Sequence, residues 1–193
     1  TSAISNVTLS DELTHGLIFD YNTGDLYAIQ DTRLIRFPQA DYGDAEAYNY
    51  TNLAAPAISV SVNDVDNGVY VLLDNGYVLE YEQDNAFNVL EYDLSSVTTC
   101  TSKIVYRNTQ NYISDNCNNE IYQFDNTFTL QQTYSLADPT VDFAVNNNYI
   151  YAAHSSYVTK FDIGSPLSST ISNNLSDVTF VNIDYIGNNP ITF

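Results

Sequence analysis

The feature that most constrains this chain is a short word that returns at a nearly fixed interval. A segment closing on Leu-Ser or Leu-Ala occurs five times, as Ile4 to Ser10, Tyr48 to Ala54, Leu90 to Ser95, Gln132 to Ala137 and Ile171 to Ser176. Its leucines are Leu9, Leu53, Leu94, Leu136 and Leu175, spaced 44, 41, 42 and 39 residues apart. Such a period marks a unit that cannot bury its own apolar surface and must stack against copies of itself.

The order inside each interval repeats as well. An alternating strand is followed by a turn rich in Asp, Asn and Gly, a strand carrying Tyr, a second turn, and a strand that closes on an aromatic. The first unit reads Gly16 to Asp20, Leu26 to Ile29 and Leu34-Ile35-Arg36-Phe37. The second reads Ser59 to Val62, Val69 to Leu73 and Val78-Leu79-Glu80-Tyr81. The third gives Ile104 to Tyr106, Tyr112-Ile113 and Ile121-Tyr122-Gln123-Phe124, and the fourth Phe143 to Val145, Ile150 to Ala152 and Val158-Thr159-Lys160-Phe161. Val, Ile, Thr and Tyr fill the apolar segments, with 17 Tyr and 9 Phe, which favours strands over helices.

The expected fold is therefore all-β, a β-propeller of four-stranded antiparallel blades in one domain over residues 1–193, with repeats of about 10–53, 54–94, 95–136, 137–175, and 176–193 plus 1–9. A Greek-key β-sandwich uses similar strands but does not account for the period. About five blades are expected, the last shared between the termini, with Ile4 to Ser10 as its outermost strand. The 18 residues after Leu175 and the nine up to Leu9 fall about 14 short of a full period, so one strand is missing from that blade. Four readings stay open: a ring closed by a three-stranded blade, an incomplete propeller fragment, a sheet edge filled by a strand from another chain, and a four-bladed ring with tails.

The stretch Phe19-Asp20-Tyr21-Asn22-Thr23-Gly24-Asp25-Leu26-Tyr27 resembles the Asp-x-x-x-Gly-x-Leu-Tyr blade signature of the YWTD, NHL, yellow and gluconolactonase-like propellers, and Asp64-Val65-Asp66-Asn67-Gly68-Val69-Tyr70 supports it. The resemblance implies architecture and no activity. A chain with no Trp lacks the Trp-Asp blade ending, the Trp of YWTD repeats, the docking Trp of quinoprotein blades and the usual sialidase Asp-box; without a Gly-Gly pair, kelch is out as well.

Charge narrows the partners. With 24 Asp and Glu against five Lys and Arg, the net charge is −19, a surface that repels nucleic acid and anionic membranes. No apolar run of ~18 residues suggests membrane insertion, no basic-then-apolar leader is present, and the lack of Met points to a processed, mature chain. Sequons at Asn6, Asn49 and Asn174 are candidate glycosylation sites, although the chain's Asn, Ser and Thr content yields about that many by chance. Cys100 and Cys117 are the only cysteines. If Arg107 to Gln110 form a hairpin turn, Tyr106 faces Asn111, Ile104 faces Ile113 and Cys100 faces Cys117, a register that accepts a disulfide and implies an oxidising compartment. Two buried thiols are the alternative.

Candidate sites are sparse. Asp20, Asn22, Asp64 and Asp66 alternate oxygen ligands before Gly24 and Gly68, as Ca²⁺ loops do. The same residues cap turns without an ion, and no Glu stands at the twelfth position. His15 and His154 have no patterned nucleophile or carboxylate partner, so no triad is indicated and a hydrogen-bonded turn His is the simpler reading. Arg33, Arg36 and Arg107 are too few for a carboxylate-binding cluster. Tyr27, Tyr70, Tyr81, Tyr122 and Tyr151 fall where a blade needs packing, which leaves Tyr42, Tyr48 and Tyr50 as binding candidates. The function expected is a non-enzymatic, secreted or cell-surface module for binding, adhesion or assembly, such as a subunit of a surface structure or filament, meeting a protein or glycan partner or associating with itself through an unpaired sheet edge. No cofactor is needed, Ca²⁺ being the one candidate. The alternatives are a Ca²⁺-dependent lactonase-type hydrolase and a carbohydrate-binding lectin.

Overall fold

Alternating apolar and polar side chains put every second residue on one face of a strand, and the chain uses this pattern throughout. In the computed structural model, residues 14–39, 53–63, 65, 68–82, 89–165 and 167–172 are described, and their fifteen regular elements are all β-strands. They form four antiparallel sheets, each built from consecutive strands. Sheet 1 holds β1 (Thr14–Phe19), β2 (Leu26–Gln30) and β3 (Arg33–Phe37). Sheet 2 holds β4 (Ala57–Asn63), β5 (Gly68–Leu73), β6 (Tyr77–Glu82) and β7 (Val89–Asp93). Sheet 3 holds β8 (Thr101–Arg107), β9 (Gln110–Asp115), β10 (Glu120–Asp125) and β11 (Leu130–Ser135). Sheet 4 holds β12 (Asp142–Val145), β13 (Tyr149–Ala153), β14 (Val158–Asp162) and β15 (Ser168–Ser172). The strands expected between Gly16 and Phe161 are here and the all-β class stands, while sheet 1 shows three strands among the described residues, and Ile4 to Ser10 and residues 176–193, expected to build a closing blade, lie outside them.

The chain divides into two compact units, Thr1–Ile104 and Val105–Phe193. In the first, sheets 1 and 2 meet face to face: Tyr27, Ile29 and Leu34 pack with Val60, Val69, Val71, Leu79 and Tyr81. The Ala57 N–H donates to the Asp31 carbonyl at 2.6 Å, and the Ile104 N–H to Ser59 Oγ at 3.1 Å. In the second unit, Tyr112, Ile121 and Tyr134 of sheet 3 pack with Phe143, Val145, Ile150, Ala152 and Phe161 of sheet 4. Burying an aromatic or branched aliphatic side chain contributes about 1.5–3 kcal/mol, so these faces dominate the stability of each unit.

The repeat extends to individual cross-strand pairs. Opposite a polar residue of the third strand stands a Tyr of the second: Tyr27 opposite Arg36, Tyr70 opposite Glu80, Tyr112 opposite Gln123 and Tyr151 opposite Lys160. The aromatic that follows each polar residue points to the other face and is buried, as Phe37, Tyr81, Phe124 and Phe161.

Candidate functional site

Turns join the strands, and acids hold the turns. Asp20 follows β1 and is 1% exposed. Its Oδ1 accepts the Asn22 N–H at 2.8 Å and its Oδ2 accepts the Thr23 hydroxyl at 2.8 Å. Its own N–H donates to the Asp25 carbonyl and its carbonyl accepts the Gly24 N–H, both at 2.8 Å, while Gly24 takes a φ of 75° that only Gly adopts without strain. This is an Asx turn in which both carboxylate oxygens have protein donors. Of the other Ca²⁺ candidates, Asn22 gives its backbone to the same turn, and Asp64 and Asp66 lie outside the described residues. Among the described residues no three His, Cys, Asp or Glu side chains are placed to hold a metal ion.

Asp25, which sequence inspection passes over, carries a second anchor. Its Oδ2 accepts Arg36 Nε at 2.6 Å and lies 2.5 Å from a terminal guanidinium nitrogen, and its Oδ1 accepts the Gln39 N–H at 2.9 Å. Arg36 is thereby committed to tying β3 to the first turn. His154, 1% exposed, is equally committed: Nδ1 pairs with the Pro139 carbonyl and Nε2 with Thr159 Oγ1, each at 3.1 Å, and the ring stacks on Tyr157 at 4.2 Å. The hydrogen-bonded turn histidine expected there is what the structure shows.

In a chain so poor in cations, carboxylates find tyrosine hydroxyls instead. Glu80 accepts from Tyr70 at 3.1 Å and from Tyr92 at 2.8 Å; Asp93 accepts from Tyr77 at 3.0 Å, Glu120 from Tyr122 at 2.6 Å and Asp138 from Tyr157 at 2.6 Å. Burial, then the bond to Glu80, pushes the Tyr92 phenol up to about 12. Burial, followed by the bonds to Glu120 and Asp138, does the same for Tyr122 and Tyr157, each at about 12. The bond to Asp93 raises Tyr77. Donors on the other side of the ledger hold Asp93 below the usual range through Ser95, and Asp125 through Thr127. These pairs stabilise turns and edges through charge-assisted hydrogen bonds.

Cys100 and Cys117 are joined as a disulfide. The turn on which that expectation depended is present: Asn108 and Thr109, with φ of 51° and 61°, form the two-residue connection between β8 and β9 that a tight hairpin requires. The disulfide is compatible with an extracellular protein. No helix among the described residues is long and apolar enough to cross a membrane. Asn6, Asn49 and Asn174, and Tyr42, Tyr48 and Tyr50, lie outside the described residues.

Of the repeat tyrosines, Tyr27, Tyr70, Tyr81 and Tyr122 are buried as expected, whereas Tyr151 is only half-buried. Sequence inspection also misses an exposed apolar ridge. Leu17 is 62%, Phe19 40% and Tyr21 88% exposed, with the Phe19 and Tyr21 rings edge to face at 5.1 Å. The repeat gives no signal of it, because Leu17 and Phe19 occupy β1 where β4 and β12 carry core residues such as Val60, Phe143 and Val145.

No known family and no curated protein sequence matches this chain. Its fold is similar to that in the structure of U3-55K, with a TM-score of 0.72 and 9% identity over 89% of this chain and 55% of that one. It is also similar to the computationally designed Ika8 protein, with a TM-score of 0.67 and 12% identity over 89% of this chain and 52% of that one. The chain spans about half the length of these structures, and the likeness is one of fold alone.

Proposed function

We propose that the four sheets are blades of a β-propeller and that the protein is a secreted, non-enzymatic module for recognition, adhesion or assembly, meeting a protein, a glycan or another copy of itself. The observation that carries this reading is the use made of its chemistry-bearing side chains. Asp20, Asp25, Arg36 and His154, the residues a catalytic reading would call on, are buried or half-buried and tied into turns by hydrogen bonds within their own sheets or to the adjoining connection. Beside its many carboxylates the surface also presents apolar and aromatic side chains, Leu17, Phe19 and Tyr21 among them, as contact surfaces do. The period of the sequence and the face-to-face stacking within each unit support the blade reading.

The rival lactonase-type reading predicts a structural dependence on Ca²⁺. Calcium removal by chelation is expected to leave the melting temperature unchanged, and the chain is expected to show no turnover of lactones or aryl esters. A melting temperature that drops on chelation, together with Ca²⁺-dependent hydrolysis, would overturn the non-enzymatic reading. A glycan array tests whether the partner is a sugar.

A further inference from the structure

A chain that reverses direction within a few residues calls for Gly or Asn at the bend, and one turn of sheet 2 uses both in succession. Leu73 ends β5 and Tyr77 begins β6, with Asp74, Asn75 and Gly76 between them. Gly76 cannot be exchanged there. Its φ is 83°, and a Cβ on it would stand 3.0 Å from Thr98 Oγ1 and 3.3 Å from Ser95 Cα. Its N–H donates to the Leu73 carbonyl at 3.2 Å and its carbonyl accepts the Leu94 N–H at 3.1 Å, which fastens it to β5 and to the chain just after β7.

Asn75, by contrast, is exposed. Its Oδ1 accepts the Tyr77 N–H at 3.3 Å, an Asx turn that curls the side-chain amide toward the Gly76 peptide. Gly76 has no side chain to shield its own nitrogen. Asn22, Asn108 and Asn126 are exposed in turns as well, but each is followed by a threonine, Thr23, Thr109 or Thr127, whose branched side chain crowds the nitrogen beside it. The other Asn-Gly pair of the sequence, Asn67-Gly68, has its asparagine outside the described residues.

We infer that Asn75 is a site of spontaneous deamidation, with water as the co-reactant. The Gly76 nitrogen gives up its proton and attacks Asn75 Cγ; a cyclic succinimide closes as the Cγ–Nδ2 bond breaks and ammonia leaves carrying that proton. Water then adds to either ring carbonyl and opens the ring to an aspartyl or an isoaspartyl residue, with no oxidation or reduction. The Gly76 N–H bond to Leu73 has to open first, so the fold sets a slow pace. Either product adds a negative charge beside Asp74 to a chain of net charge −19. The aspartyl product keeps the turn, because a carboxylate accepts the Tyr77 N–H as the amide does. The isoaspartyl product routes the main chain through the side chain and lengthens the turn by a methylene, directly behind the pairing of Leu72 with Val78. That hairpin carries Val69, Val71, Leu79 and Tyr81, which pack on sheet 1, so the modification loosens sheet 2 as the protein ages.

The test is incubation of the full 193-residue chain in warm, mildly alkaline buffer, followed by peptide mapping with mass spectrometry and electron-transfer fragmentation to locate isoaspartate. Asn75 is expected to convert about tenfold faster than Asn22, Asn108 and Asn126, with isoaspartate among its products. Asn75→Gln, whose longer side chain closes the ring poorly, is expected to stop conversion at that position with the fold intact. The aged chain is expected to melt below the fresh one, whereas fresh Asn75→Asp, which has the charge and an ordinary peptide link, melts with the fresh parent. Conversion at Asn75 no faster than at the other three asparagines, aspartate without isoaspartate, or an aged Asn75→Gln chain that loses as much stability as the aged parent overturns the inference.

Discussion

Strands β1 and β12 open their sheets at the same place in the repeat, and they meet opposite environments. Phe143 and Val145 of β12 are 0% and 7% exposed, whereas Leu17 and Phe19 of β1 are 62% and 40% exposed. Both strands alternate, and alternation decides only which side chains share a face. Whether that face is buried depends on the sheet beside it. Sheet 4 is therefore held by apolar packing on sheet 3, while sheet 1 is packed away from its first strand, through Tyr27, Ile29 and Leu34 on one face and Ala28, Ile35 and Phe37 on the other, and adds a polar tether, the Asp25–Arg36 pair.

The largest effect expected follows directly. Phe143→Ala should cost about 3–5 kcal/mol, as truncation of a fully enclosed Phe does, and Phe19→Ala about 1 kcal/mol or less. Denaturant unfolding reads both. Equal losses at the two positions would break the comparison.

This contrast also marks how much was legible in the sequence. Val78-Leu79-Glu80-Tyr81 and Val158-Thr159-Lys160-Phe161 announce their strands, because a polar residue flanked by apolar ones at spacing two has few other uses. The Cys100–Cys117 bond was legible because a tight turn at Asn108-Thr109 fixes the register for everything behind it. The Asp25–Arg36 pair was not, since Asp25 stands in a turn, where an acid that caps the backbone and one that pairs with a cation read alike. Asp20 was legible as a residue that matters, but a carboxylate that closes its own turn and one that waits for an ion read alike in one dimension. The exposure of Leu17 was invisible for the same kind of reason: it is a property of a neighbouring sheet.

The second effect sharpens the role of the tether. Arg36→Ala leaves a carboxylate that is 4% exposed without its counter-charge, and a loss of about 2–3 kcal/mol is expected, reduced from a fully buried pair because the guanidinium is 24% exposed. Removing both charges with Asp25→Asn and Arg36→Met is expected to recover part of that loss. A double variant as unstable as the single one would show that Asp25 acts through the Gln39 N–H and the turn, and not through charge.

The smallest effect tests whether sheet 4 has a polar tether of its own. The Tyr157 hydroxyl donates to Asp138 at 2.6 Å, and its ring stacks on His154. Burial, and then Asp138, hold the phenol at about 12 in the folded chain against an ordinary value of 10.0. A raised folded value means stability that is fully present below pH 10, fades as the pH rises toward 12 and is absent above it. Tyr157→Phe keeps the ring stack and removes the hydroxyl, so it should cost about 0.5–1 kcal/mol at neutral pH and remove part of the alkaline loss. Denaturant melts at stepped pH, with tyrosinate absorbance followed in parallel, measure both. An alkaline loss unchanged in Tyr157→Phe would assign that response to Tyr92 and Tyr122, in sheets 2 and 3, whose phenols are held at about 12 as well. Sheet 4 would then depend on its apolar face alone, and its difference from sheet 1 would be greater than the structure by itself suggests.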